Sequence, residues 1–221
     1  MDADILRTRP PTTGVDEKIR RRHFFLARMK RVSRDGGPIR ALWNRNGSGE
    51  GQRMDMFGDV PYCIIGGKAT SRYMPERTTL DVDVLVLAEQ FRAAAERLEA
   101  AGWSAETEPL LFPDSRLGLI GRRFLKAASP LDLITSDQDW TRKAIETAAS
   151  DQGQRVVSLP YLVLMKLDAS RGVDQGDLTR MLGLAAEDDL EATRGVVARY
   201  MPADSDDLEQ YIQFGRFELG R

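Results

Sequence analysis

From Pro61 onward the apolar positions fall into short blocks whose period changes along the chain. "YCII" at 62–65 is a continuous apolar run of strand length, and the pair Gly66–Gly67 turns it into a short helix. "DVDVLVL" at 81–87 alternates carboxylates with β-branched residues and reads as a second strand. "AEQFRAAAERLEAAGW" at 88–103 has helical spacing, with Phe91, Ala95, Leu98 and Ala101 on the inner face and Gly102 as the stop. "GRRFLKAASPLDLITS" at 121–136 reads as a hairpin, with Ser129–Pro130 in its turn and "LDLIT" as its second strand. A helix over 140–149 and a short strand "RVVS" at 155–158 follow. Beyond Leu159–Pro160 the pattern is helical to the end, through "YLVLMKLDAS", "QGDLTRMLGL", "EATRGVVARY" and "DDLEQYIQFG". The expected class is α+β: a small mixed sheet with helices packed on it, then a helical C-terminal segment.

The first 58 residues have a different texture. Residues 1–15, rich in Pro, Thr and charge, read as disordered. A helix is expected over 16–34, with Ile19, Leu26, Met29 and Val32 on one face and arginines on the wet side. "RDGGP" ends it, and "NRNGSGEGQ" at 44–52 has the composition of a flexible loop. The expected division is therefore 1–58 as an N-terminal extension, 59–158 as the core and 159–221 as the helical segment.

Composition narrows the function classes. With 221 residues, 42% hydrophobic, the chain can bury one substantial core plus an appendage. Its single cysteine, Cys63, cannot form an internal disulfide and reads as a small core residue. Its single histidine, His23, rules out a His-rich metal site. No apolar run has bilayer length, and no apolar h-region follows the first charges, so a cytoplasmic protein with no membrane partner is expected. A net charge of −2 argues against a nucleic-acid coat protein, although the basic stretch at 17–31 weakly favours RNA as a partner.

The chemistry sits between the first two strands. Asp81 and Asp83 share a strand face, where two carboxylates repel each other and lose hydration if buried. A divalent cation such as Mg²⁺ resolves this by taking oxygens from both while keeping positions for water and phosphate. Asp132, flanked by Leu131 and Leu133, is the expected third carboxylate, with Glu106 and Glu108 as substitutes on the preceding strand-like segment. Gly66–Gly67 lets a ligand approach the backbone and exposes N–H groups at a helix start, where a phosphate binds well. Lys68 adds a positive charge there. Carboxylates for metal beside a glycine turn for triphosphate describe phosphoryl or nucleotidyl transfer, with two ions roughly 3.5–4 Å apart. The plainer reading of each part stands beside this one: a Gly-Gly pair as a turn only, and two aspartates as a solvated strand end.

A strand, Gly-Gly, thirteen residues and then Asp-Val-Asp opening an apolar strand resembles the DNA polymerase beta-like nucleotidyltransferase superfamily. "GGKATSRYMPERTTLDVDVLV" looks more closely like the branch holding AbiEii-type toxins and related bacterial nucleotidyltransferases, through Gly66, Gly67, Ala69, Tyr73, Arg77, Thr79, Asp81 and Asp83. "SLPYLVLMKLDASRGVDQGDLTRML" is similar to the downstream family segment at Lys166, Arg171, Asp174 and Asp177. The resemblance implies Asp81, Asp83 and Asp132 as catalytic metal ligands for two Mg²⁺ ions. It implies nucleotide binding by Gly66, Gly67, Lys68, Arg77, Thr79 and Lys166. It further implies an NTP donor, pyrophosphate release, and an acceptor that is tRNA or another RNA, a protein, or a small-molecule hydroxyl. A toxin–antitoxin or defence role would add a cognate protein partner. The alternative is a catalytically inactive nucleotidyltransferase fold kept as a binding or regulatory module. Two positions depart from the family: Gly67 lacks the hydroxyl of the frequent Gly-Ser form, and Leu80 stands where Lys is frequent. Without the resemblance, Lys166 reads as a lysine snorkelling from an apolar helix. Arg77 and Thr79 read equally as substrate contacts or as braces of the loop before the metal strand.

Overall fold

A computed structural model describes residues 55–74, 79, 81–127, 129–151 and 153–220. The basic helix expected over 16–34, the loop at 44–52 and Arg77 lie outside the described residues. Among the described residues seven strands form one mixed sheet in the order β3-β4-β5-β2-β1-β7-β6. They are β1 Tyr62–Ile65, β2 Val82–Val86, β3 Ser104–Leu111, β4 Ile120–Lys126, β5 Ser129–Thr135, β6 Ala149–Asp151 and β7 Gln154–Val156. The helices are α1 Gly66–Tyr73, α2 Phe91–Ala100, α3 Trp140–Glu146, α4 Leu159–Ala169, α5 Gly172–Leu184, α6 Glu187–Tyr200 and α7 Ser205–Glu218.

Strand alternation builds two cores, one on each face. Ile64, Val84, Val86, Phe124, Leu131 and Leu133 pack with Ala94 and Leu98 of α2 on one side. Their sequence neighbours Cys63, Ile65, Leu85 and Ile134 face the other way, onto Trp140 and Ala144 of α3 and the apolar side chains of the C-terminal helices. Helix α4 is buried from Leu159 through Asp168, consistent with its nearly unbroken apolar sequence. The α+β class, with a mixed sheet followed by a helical segment, is as expected.

Local differences from the expectation have physical causes. Ser129 and Pro130 belong to β5, opposite Lys126 and Leu125, so the reversal falls between Lys126 and Ser129. Proline is tolerated there because it sits at the strand's start. The α2 stripe runs through Ala94 and Leu98, with Phe91 and Ala95 only half-buried. A 3₁₀ turn at Ala88–Gln90 precedes α2, so the α-helical turn starts only at Phe91 and the buried positions of α2 fall on Ala94 and Leu98. Helix α3 stops at Glu146, and Ala149 instead enters β6, which pairs with β7 as a hairpin.

Candidate active site

Strand register brings the acidic residues together. Ile65 of β1 pairs with Asp83 of β2, Asp83 pairs in parallel with Asp132 of β5, and Asp132 pairs with Arg123 of β4. Directly paired residues project from the same sheet face. A row of Arg123, Asp132 and Asp83 therefore crosses three strands on the side carrying Ile65, Leu85 and Ile134, which is the side of the C-terminal helices. Asp81, two residues before Asp83, joins from just outside β2. Asp81, Asp83 and Asp132 each offer a carboxylate oxygen, all within 4.8 Å of one another. Glu106 and Glu108 do not join them: both are exposed on β3, separated from β2 by β4 and β5.

The cluster is electrostatically unbalanced. Burial, followed by the charges of Asp81 and Asp132, pushes Asp83 up to about 7, against the opposing pull of Arg171 and Arg123. Asp132 is gripped from β4: Arg123 Nε donates to Oδ1 and Nη2 donates to Oδ2, each at 2.7 Å. This two-point grip fixes the plane of the Asp132 carboxylate and leaves lone pairs on both oxygens. On Asp81, the Thr79 hydroxyl donates to Oδ1. Three hard oxygen donors, mutually repelling and held at this spacing, fit a divalent cation such as Mg²⁺ by donor type and by charge.

The glycine pair is fitted to these same groups. Gly66 has φ +62°, and a Cβ placed on it would lie 1.8 Å from Asp83 Oδ2. Only glycine both adopts that backbone and lets Asp83 pass. A Cβ on Gly67 would lie 2.9 Å from the Cβ and Oγ1 of Thr79, so the missing hydroxyl at this position leaves room that Thr79 fills. Helix α1 starts at Gly66 with no side-chain cap, placing its first N–H groups beside the carboxylates. The Thr70 hydroxyl donates to the Gly66 carbonyl at 2.9 Å and ties the turn down. Lys68 is half-buried in the first turn of α1.

Lys166 is paired with two acids of a neighbouring helix. Its ammonium is buried on α4 and donates to Asp174 Oδ1 at 3.0 Å and Asp177 Oδ2 at 2.7 Å, both carboxylates on α5. Arg171, in the two-residue junction between α4 and α5, donates to Asp174 from Nε at 2.5 Å and Nη2 at 3.1 Å. The reading from sequence did not single out Arg123. Its only trace there is the Arg122–Arg123 pair between Gly121 and Phe124 of β4, and recognising its partner requires the β4–β5 register.

Among the described residues no helix is long and apolar enough to cross a membrane. No protein-family profile and no curated protein sequence matches the chain. Solved structures that resemble the fold include the following three. JHP933 from Helicobacter pylori is 14% identical, with 75% of this chain and 88% of that one covered at a TM-score of 0.43. A candidate nucleotidyltransferase from H. pylori is 17% identical over 74% of this chain and 80% of that one, at 0.40. The antibiotic-resistance factor ANT(2'')-Ia is 16% identical over 77% of this chain and 91% of that one, at 0.40.

Proposed function

We propose that this chain is a Mg²⁺-dependent nucleotidyltransferase that moves NMP from an NTP to an acceptor hydroxyl. The observation that carries the proposal is the convergence of Asp81, Asp83 and Asp132 beside a turn that closes only with glycine. Support comes also from the resemblance of these motifs to the DNA polymerase beta-like superfamily. Mg²⁺ held by the three carboxylates, as two ions in this reading, would neutralise phosphate charge and make the attacking hydroxyl more acidic.

The chain's own groups have separable tasks in this reading. Asp81 and Asp83 supply ligand oxygens from one strand, with Asp81 oriented by Thr79. Asp132, oriented by Arg123, supplies a third oxygen and takes the proton of the acceptor hydroxyl. The N–H groups at Gly66 and Gly67, with Lys68 and Arg77, receive the triphosphate. Positioning and charge compensation supply most of the rate, as in phosphoryl transfer generally. The AbiEii-like motifs make RNA, tRNA first, the leading acceptor to test, in a toxin–antitoxin setting with a cognate protein partner.

Thermal unfolding with Mg²⁺ and each NTP in turn tests the site, for the wild type and for Asp81→Ala/Asp83→Ala. A ligand at one hundred times its Kd stabilises the folded state by about 2.7 kcal/mol. The double variant relieves the repulsion at Asp83, so its ligand-free midpoint is expected to rise while its response to ligand disappears. A shift in the wild type that vanishes in the variant supports the site, and pyrophosphate release with RNA then supports transfer. Binding without pyrophosphate release under any acceptor would identify a binding or regulatory module. No shift with any NTP would sink the nucleotide-binding reading.

A further inference from the structure

The junction between α4 and α5 holds a chain of buried charges: the side chains of Lys166, Asp174 and Asp177 are 6%, 1% and 5% exposed. Burying such a set is seldom favourable for stability over apolar packing, because desolvation offsets most of the attraction. The arrangement is informative at its open end. Asp174 accepts from Lys166 on one side and from Arg171 on the other, and the Arg171 side chain is 47% exposed. Two bonds to Asp174 engage one part of the guanidinium fork and leave donors on its outer edge.

Arg171 lies on the active-site side of the molecule. Helix α1, which opens with the glycine turn, packs against both α4 and α5. The α4–α5 junction lies on the sheet face that carries Asp83 and Asp132. The charge of Arg171 acts on Asp83, and those of Asp83 and Asp81 act on Arg171. Lys166, by contrast, uses two of its donors on buried acids one layer deeper.

We propose that Arg171 is the cation that receives the terminal phosphates of the nucleotide, and that Lys166 is a positioning residue that holds Arg171 in place through Asp174. The proposal rests on the nucleotidyltransferase reading and deepens it. A planar fork pinned at one edge suits a phosphate better than a flexible ammonium does, because two parallel bonds can form with little loss of side-chain freedom.

Calorimetric titration of the full chain tests it, using each NTP and the matching NMP with Ca²⁺ in place of Mg²⁺ to suppress turnover. Arg171→Ala is expected to weaken NTP binding about 10- to 100-fold, the worth of one or two charge-assisted bonds, while NMP affinity stays the same. Arg171→Lys restores part of the loss, since it returns the charge without the fork. Asp174→Asn keeps both cations but releases the grip, and is expected to weaken NTP binding with a smaller fall in thermal midpoint than Lys166→Met. Wild-type NTP affinity in Arg171→Ala overturns the inference, and so does an equal loss for NTP and NMP. Failure of the wild type to bind any NTP overturns the nucleotidyltransferase reading itself, which separates the two failures.

Discussion

Asp83 is where the arrangement of carboxylates becomes measurable. Its folded pKa of about 7 lies above the ordinary carboxylate value of 3.8. Between those values the folded protein holds a proton that the unfolded chain has released. This group therefore favours folding at low pH, and the contribution is lost as pH rises from about 4 to about 7, by up to about 4 kcal/mol. Asp83→Asn imitates the protonated form. In EDTA, its urea midpoint relative to wild type is expected to climb between pH 5 and pH 8, and Mg²⁺ should stabilise the wild type alone at pH 8. A difference between the two proteins that does not vary with pH would show Asp83 ionising normally. At this scale the sequence was legible where chemistry is local: Asp81 and Asp83 share a face by alternation, and the apolar flanks of Asp132 mark it as a strand residue. Arg123 was not legible, because its tie to Asp132 depends on the register between two strands and not on the pattern of either.

Among the elements, α5 and α7 make the tightest demand on sequence. A Cβ on Gly215 of α7 would fall 2.0 Å from the Thr179 carbonyl oxygen, and one on Gly183 of α5 would fall 2.5 Å from the Gly215 carbonyl carbon. Those neighbours are backbone atoms, so the helices would have to separate to admit even a methyl group. Gly215→Ala is expected to lower stability by about 1–3 kcal/mol in denaturant titrations. Gly176, also within α5, has open space where a methyl group would sit, with nothing within 4 Å, and Gly176→Ala should raise stability by up to about 1 kcal/mol. Equal effects at the two glycines would mean that helix propensity, not the close crossing, decides. The long helices were legible from period and the β1-turn-α1-β2 succession from order. β7 was anticipated within "RVVS", but its hairpin partner β6 was not, since a three-residue strand carries too few positions to show alternation.

At the scale of the whole molecule, one sheet face serves structure and the other serves both structure and chemistry. The α2 side packs an apolar core, with Arg122 and Lys126 of β4 exposed at its margin, whereas the opposite side is shared by the helical core and, at one end of its strands, by the three aspartates and Arg123. The mixed sheet followed by helices could be anticipated from the order of periods, but which face would carry the carboxylates could not, because that depends on how four strands pair. Cys63 stands in β1 opposite Leu85, buried on the chemical face, with its thiol pushed up to about 12 by desolvation. A thiol in that state is inert to alkylation until the sheet opens. Native protein in iodoacetamide at pH 8 is expected to label far more slowly than unfolded chain, and Mg²⁺ with a bound NTP to slow it further. Rapid labelling of native protein would show that β1 is exposed without global opening. Because Cys63 is the sole cysteine of the sequence, every alkylated molecule records an opening of this strand. The chain thus carries its own chemical clock, timed from the strand that leads into the glycine turn.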